Sequence, residues 1–201
     1  MITSAHKKNW RNFLIVQIIT FSRIPLAIMF AVLLIVNRET VLNGSFAYSA
    51  LLLFILILCE LTDLIDGILA RKLGLVSELG SMHDPYSDSI SRMIVFWALG
   101  MVNLTFMTVV LIMAFRDVTV AYCRIVLTKN QKPVSAKWSG KVKAVIQGSA
   151  AMIILLGPLY WNWTGNWTAP SLSWIVILAT LASIFEYAVA AIKSVKEKFE
   201  D

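Results

Sequence analysis

Four aspartates, Asp63, Asp66, Asp84 and Asp88, stand beside long apolar runs in a chain that holds only twelve acidic residues. Carboxylates next to a bilayer are expensive unless a charge pairs with them or a function requires them. The first two are three residues apart and the last two four apart, so on helices each pair shares a face. The segment between the pairs, RKLGLVSELGSMH, is short enough to fold two helices back antiparallel and bring all four carboxylates together. Such a cluster cannot stay ionised unaided, because like charges at close range raise one another's pKa. Cations must be present. Oxygen donors without His or Cys favour Mg2+, Mn2+ or Ca2+ over zinc, and an open carboxylate site suits Mg2+ with phosphate oxygens in its remaining positions. His83 lies next to Asp84 but reads as an interfacial polar residue rather than a ligand. Gly67, Ala70 and Gly80 are small residues between the aspartates; a glycine inside a helix costs about 1 kcal/mol against alanine, so Gly67 marks close approach by a ligand or another helix.

A second set of charges is cationic. Arg116 and Arg124 are eight residues apart, which puts them on nearly one helix face about 12 Å apart along the axis. Asp117 is beside the first, and Lys141 and Lys143 follow in the next apolar segment. Charges within a span face the protein interior or a cavity. The bland reading is a salt bridge or snorkelling; the sharper one is a phosphate held by charge-assisted hydrogen bonds.

The elements that must carry these residues are membrane helices. The chain has 201 residues, 58% of them hydrophobic and 15% charged, with a mean hydropathy of +0.74, outside the range of soluble domains. Runs of about twenty apolar residues can cross the roughly 30 Å hydrocarbon layer. Six are expected, near 13–36, 47–70, 85–101, 104–127, 144–161 and 171–192. Their connections are too short for a soluble domain, so residues 1–201 read as a single membrane domain. The fold class expected is all-α, with residues 2–12 as a short N-terminal interfacial segment.

Lys7, Lys8, Arg11, Arg71, Lys72, Lys129, Lys132, Lys137, Lys141, Lys143, Lys193, Lys196 and Lys198 fall on one side of a six-span arrangement, and the opposite loops hold only Arg38. That asymmetry predicts both termini and the aspartate segment on the cytoplasmic side of the cell's inner membrane. The net charge of +6 then reads as topology and attraction to anionic membrane lipids, with no nucleic-acid partner. Trp161, Trp163 and Trp167 read as an outer interfacial belt. Cys59 and Cys123 lie within spans and suggest neither a disulfide nor a thiolate metal site.

The stretch Asp63, Asp66, Gly67, Ala70, Arg71, Gly80, Asp84, Asp88 resembles the signature of the CDP-alcohol phosphotransferase family, DxxDGxxARx8Gx3Dx3D, at every fixed position and every gap. The resemblance implies six transmembrane helices, a homodimer, and transfer of a phosphatidyl or other CDP-linked group to an alcohol with release of CMP. It implies Mg2+ (or Mn2+) held by Asp63, Asp66 and Asp84, with Asp88 also close to the metal and acting as general base. Asp63, Gly67, Ala70, Arg71 and Gly80 would line the CDP pocket. Within the family the likeness is to bacterial phosphatidylglycerophosphate synthases. ITFSR at 19–23 is similar to their ILTLFR, and RDVTVAYCR with SGKVKAVIQ to their REIIISALR and IGKVKTTAQ. By position, this makes Thr20, Arg23, Arg116, Arg124, Lys141 and Lys143 candidates for holding glycerol 3-phosphate or the phosphate of CDP-diacylglycerol.

The chain departs from that subgroup where DPxADK is usual: it reads DPYSDS, with Ser87 for Ala and Ser89 for Lys. Arg92, three residues after Ser89, is a candidate replacement for the missing cation. The departure bears on the acceptor alcohol, with inositol phosphate or serine as alternatives, and leaves the aspartates intact. A prenyltransferase would need its two acidic motifs far apart in a longer chain. A divalent-cation transporter would need polar groups across the midplane, and the outer halves of the spans offer little beyond Glu186.

Overall fold

The computed structural model describes residues 4–72, 78–130, 138–164 and 167–200; within its helices the side chains of residues 4–13, 15, 64, 67, 70–71, 78–84, 138, 162–164 and 199–200 are left undescribed. Every regular element among the described residues is helical: α1 (Ser4–Val36), α2 (Arg38–Leu42), α3 (Phe46–Lys72), α4 (Glu78–Met101), α5 (Met107–Lys129), α6 (Trp138–Thr164) and α7 (Thr168–Glu200). They form two compact units, Met1–Ala98 and Leu99–Asp201.

In the first unit α1 packs on α3 along a stripe of 3.6-residue period: Thr20, Arg23, Ala27, Phe30 and Leu34 are buried on α1, and Ser49, Leu52, Ile55, Cys59 and Asp66 on α3. Each stripe is apolar along most of its length and polar at one end. The same helical face that builds the core therefore delivers the functional side chains. Ser87, Ser91, Arg92, Val95, Phe96 and Ala98 are the described buried residues of α4 in this unit.

The second unit repeats the logic. Val109, Met113, Arg116, Val120, Cys123 and Leu127 line the buried face of α5 at alternating steps of four and three. Alpha helix α7 packs against both α5 and α6, presenting buried Ser173, Val176, Thr180, Ser183 and Tyr187. Small and hydroxyl residues recur on these faces because lipid tails give helices no hydrophobic reason to associate, so close approach and hydrogen bonds must hold them. The Thr105 and Ser173 hydroxyls meet at 2.7 Å. Outward positions are apolar instead: Ile28, Val32, Phe54, Leu111, Phe115, Val118, Phe185 and Ile192 are all exposed. Exposed apolar faces on long helices are what a lipid solvent selects, and the chain is an integral membrane protein.

Four helices are long and apolar enough to cross a membrane, by length and composition and among the described residues, with candidate spans at Val16–Val36, Phe46–Asp63, Ser139–Trp161 and Thr168–Lys198. The expected third and fourth spans lie in α4 and α5, which at 24 and 23 residues reach about 35 Å. Their length suffices, but the charged and polar residues they carry, Asp84, Asp88 and Arg92 among them in α4 and Arg116, Asp117 and Arg124 in α5, make them less apolar than the other four. The N-terminal segment also differs from expectation. Helix α1 runs unbroken from Ser4, because no Gly or Pro interrupts the chain before Pro25.

The breaks follow local chemistry. Gly44 adopts φ 75° after the short α2, a left-handed turn that glycine enters without a Cβ penalty. Helix α4 ends where GMVN predicts: Asn103 takes φ 60°, its N–H donates to the Gly100 carbonyl, and Leu104 N–H reaches back to Leu99 O. That pair of bonds is the Schellman motif, with Leu99 and Leu104 buried as its apolar contact.

Candidate functional site

The polar ends of the α1 and α3 stripes meet. Arg23 is 2% exposed and forks between two carboxylates, donating Nη1 to Asp63 Oδ1 at 2.7 Å and Nη2 to Asp66 Oδ2. Thr20 Oγ1 stands 2.9 Å from the same Asp66 oxygen and 3.1 Å from the Val16 carbonyl, so its single proton serves one of them at a time. Ser87 of α4 is fully buried and donates to the Thr20 carbonyl at 2.7 Å. The Ser87 hydroxyl thus ties α4 to α1 beside the aspartates.

Asp88 extends the cluster. Its Oδ1 accepts from Arg92 Nε at 2.6 Å, one helical turn on, and Arg92 Nη2 donates to Glu60 Oε2 of α3 at 3.2 Å. Glu60 feels the charges of Asp63 and Asp88, and Asp63 those of Asp66 and Asp88. The four carboxylates therefore form one electrostatic cluster. Among the described residues two guanidiniums, Arg23 and Arg92, face these four carboxylates, a concentration of negative charge that low dielectric makes costly.

That charge and an all-oxygen donor set fit one hard divalent cation. Among the described residues no group of three or more His, Cys, Asp or Glu is placed to hold a metal by itself. Asp84, the expected third ligand, has its side chain outside the described residues, as do Gly67, Ala70, Arg71, Gly80, Glu78 and His83. Thr20 and Arg23, expected beside a phosphate, instead engage Asp66 and, for Arg23, Asp63. Glu60 was not singled out from sequence; its position one turn before Asp63 on α3 is the signal that could have found it.

The second unit gathers the cationic set. Arg116 donates Nε to Ser183 Oγ at 2.8 Å and pairs Nη1 with Asp117 Oδ1 at 2.8 Å. Lys143, buried, lies 3.6 Å from the same Asp117 oxygen. Arg124 Nη2 reaches Tyr187 Oη at 3.4 Å. Both arginines also stand over the Tyr187 ring, their Cζ atoms 6.0 and 5.5 Å from its centroid, within range of a cation–π attraction. A methyl at Gly140 would sit 3.8 Å from Arg116 Nη2, an ordinary contact distance, which places the start of α6 beside the guanidinium. Lys141 is exposed. Arg116 and Lys143 thus both approach the carboxylate of Asp117, and Arg124 Nε and Gln147 Oε1 are buried with no hydrogen-bond partner among the described residues.

Glu186 accepts from Ser139 Oγ at 2.6 Å, beside the N-terminal end of α6, the end that also carries Lys141 and Lys143. Tyr187 and Ser183 were likewise not singled out from sequence. They lie more than fifty residues from the arginines in the chain, and nothing in their local pattern marks them.

The family model for CDP-alcohol phosphatidyltransferase matches residues 13–186. The CDP-diacylglycerol–glycerol-3-phosphate 3-phosphatidyltransferase of Bacillus subtilis (strain 168) is 29% identical over 174 residues, 84% of this chain and 90% of that protein. The protein of the same name from Rickettsia felis is 31% identical over 155 residues, 73% and 81% of the two chains. That from Treponema pallidum is 32% identical over 113 residues, 56% and 51%.

Proposed function

The chain belongs to the CDP-alcohol phosphatidyltransferase family, and on that premise we propose that it transfers the phosphatidyl group of CDP-diacylglycerol to sn-glycerol 3-phosphate, giving phosphatidylglycerol phosphate and CMP. The observation that carries the reading is the acidic cluster: signature residues Asp63, Asp66 and Asp88 gather with Glu60 around Arg23 and Arg92. Likeness to the Bacillus subtilis protein over nine-tenths of its length supports the choice of acceptor.

Asp63, Asp66 and Asp84 would hold Mg2+ (or Mn2+), with Asp88 adjacent. When bound, the metal neutralises the pyrophosphate and the charge developing on departing CMP. Asp88 takes the proton of the acceptor hydroxyl as its oxygen bonds to the phosphatidyl phosphorus. The bond from that phosphorus to the CMP oxygen breaks, and CMP leaves with the electron pair. Gly67, Ala70, Arg71 and Gly80 would leave room for cytidine and diphosphate. Arg23 and Thr20 hold Asp63 and Asp66 in orientation.

Arg116, Arg124, Lys141 and Lys143 would bind the phosphate of glycerol 3-phosphate, a dianion that matches the surplus positive charge around Asp117 and the unpaired Arg124 Nε. Six spans, both termini on the cytoplasmic face of the inner membrane, a single domain over 1–201 and a homodimer complete the reading; the one-sided distribution of Lys and Arg supports the orientation.

Purified protein with Mg2+ and CDP-diacylglycerol should release CMP when glycerol 3-phosphate is added. Release only with inositol phosphate or serine would reassign the acceptor, as the uncharged Ser89 allows. Within the same assay, Arg124→Gln is expected to raise KM for glycerol 3-phosphate by about 10- to 100-fold, the effect of losing a charge-assisted hydrogen bond of ~1.5–3 kcal/mol. KM for CDP-diacylglycerol should not move. A matching rise in both would deny Arg124 an acceptor role.

A further inference from the structure

The acidic cluster contains one cation that the proposed chemistry does not use. Arg92 lies on α4 one turn after Asp88, its side chain only 10% exposed. Its planar guanidinium presents two edges in fixed relation. Nε is bonded to Asp88 Oδ1 at 2.6 Å, and Nη2 to Glu60 Oε2 at 3.2 Å. Glu60 comes from α3, the helix that carries Asp63 and Asp66. The bridge therefore fixes Arg92 from the far side, and Arg92 fixes one oxygen of Asp88. Among the described residues, no hydrogen bond engages the other oxygen, Asp88 Oδ2.

A general base works only when its lone pair meets the hydroxyl proton in line, and a misplacement of about 1 Å costs on the order of 100-fold. A short aspartate at the rim of a cluster of like charges has no reason to hold one rotamer. Repulsion from Asp63 and Glu60 would turn it outward. A guanidinium gripping Oδ1 removes that freedom and leaves Oδ2 to face the acceptor. Ser89, next to Asp88, carries no charge that could do this, and Arg23 is already forked between Asp63 and Asp66.

We infer that Arg92, braced by Glu60, is the positioning residue for Asp88. The inference rests on the phosphatidyltransferase reading, since it assigns Asp88 the base role.

The test is a double-mutant cycle on the full-length protein in detergent, reading CMP release with glycerol 3-phosphate and equilibrium binding of CDP-diacylglycerol. Arg92→Gln is expected to lower kcat by about 10- to 100-fold while KM for the alcohol and Kd for the CDP-lipid stay within about twofold. Arg92→Lys keeps the charge beside Asp88 but has no second edge for Glu60. It should recover most of kcat, to within about tenfold of wild type. Glu60→Gln should cost about fivefold alone and nothing further in the Arg92→Lys background, because the interaction it supports is already gone.

Preserved CDP-lipid binding certifies that a variant is folded; if Arg92→Gln does not fold, the Arg92→Lys and Glu60→Gln pair decides. Wild-type kcat in Glu60→Gln, full additivity of the two changes, or a loss carried by KM or Kd would each overturn the inference with the reaction intact. A wild-type protein that releases no CMP with any alcohol overturns the reading and this inference with it.

Discussion

Asp88→Asn is expected to abolish turnover, lowering kcat for CMP release by about 10²- to 10⁴-fold, the range over which a positioned general base contributes. The amide has the size of the carboxylate, and its carbonyl oxygen can still accept from Arg92 Nε, so the packing of α4 need not change. What is lost is the basic lone pair that receives the hydroxyl proton. Binding of CDP-diacylglycerol, which in this reading depends on Asp63, Asp66 and Asp84, should survive. The separation discriminates between functions as well as between residues. A transporter that used the carboxylates as a relay would release no CMP even as wild type. Retention of wild-type kcat in Asp88→Asn would remove Asp88 from the chemistry and leave the acidic cluster as a binding site only.

The parts of this site that could be read from sequence are those whose meaning lies in spacing. The aspartate steps of three and four put each pair on one helix face, and the helices around them are long enough for apolar periodicity to be plain. The end of α4 was legible at Asn103, a residue that tolerates the left-handed conformation required there. Partners contributed by a different helix were not legible. Arg23 could be noticed as a charge near a span, yet nothing local says that it forks between Asp63 and Asp66, 40 and 43 residues on in the chain. Glu60 and Tyr187 are harder still. One is an acidic residue in an acidic neighbourhood, the other an aromatic in an apolar helix, and only the pairing of α3 with α4 and of α5 with α7 gives each its arginine. The membrane count diverges for a related reason. Hydropathy reads charges as evidence against a span, whereas α4 and α5 hold theirs in ion pairs on largely inward faces.

Arg23 carries the other large expected effect, and it falls on stability. Its side chain is almost wholly buried, as is that of Asp66, whereas Asp63 keeps 42% exposure. Replacing Arg23 by Gln strands the Asp66 carboxylate without its cation. Breaking a buried pair in this way typically costs about 3–5 kcal/mol, because desolvation of the remaining charge is no longer offset. The thermal midpoint in detergent should fall on the order of 10 °C. Removing the stranded charge should reverse most of that. Arg23→Gln with Asp66→Asn leaves two neutral groups able to hydrogen-bond, so the double variant is expected to regain most of the midpoint while remaining inactive. Asp63→Asn should disturb the fold far less, since water already screens that carboxylate, yet it too should lose CMP release. Stability and turnover would then separate along the arginine: Arg23 is needed to fold the acidic cluster, the carboxylates to use it. An unchanged midpoint in Arg23→Gln would show that Asp66 finds its compensation elsewhere and would detach Arg23 from the assembly of the site.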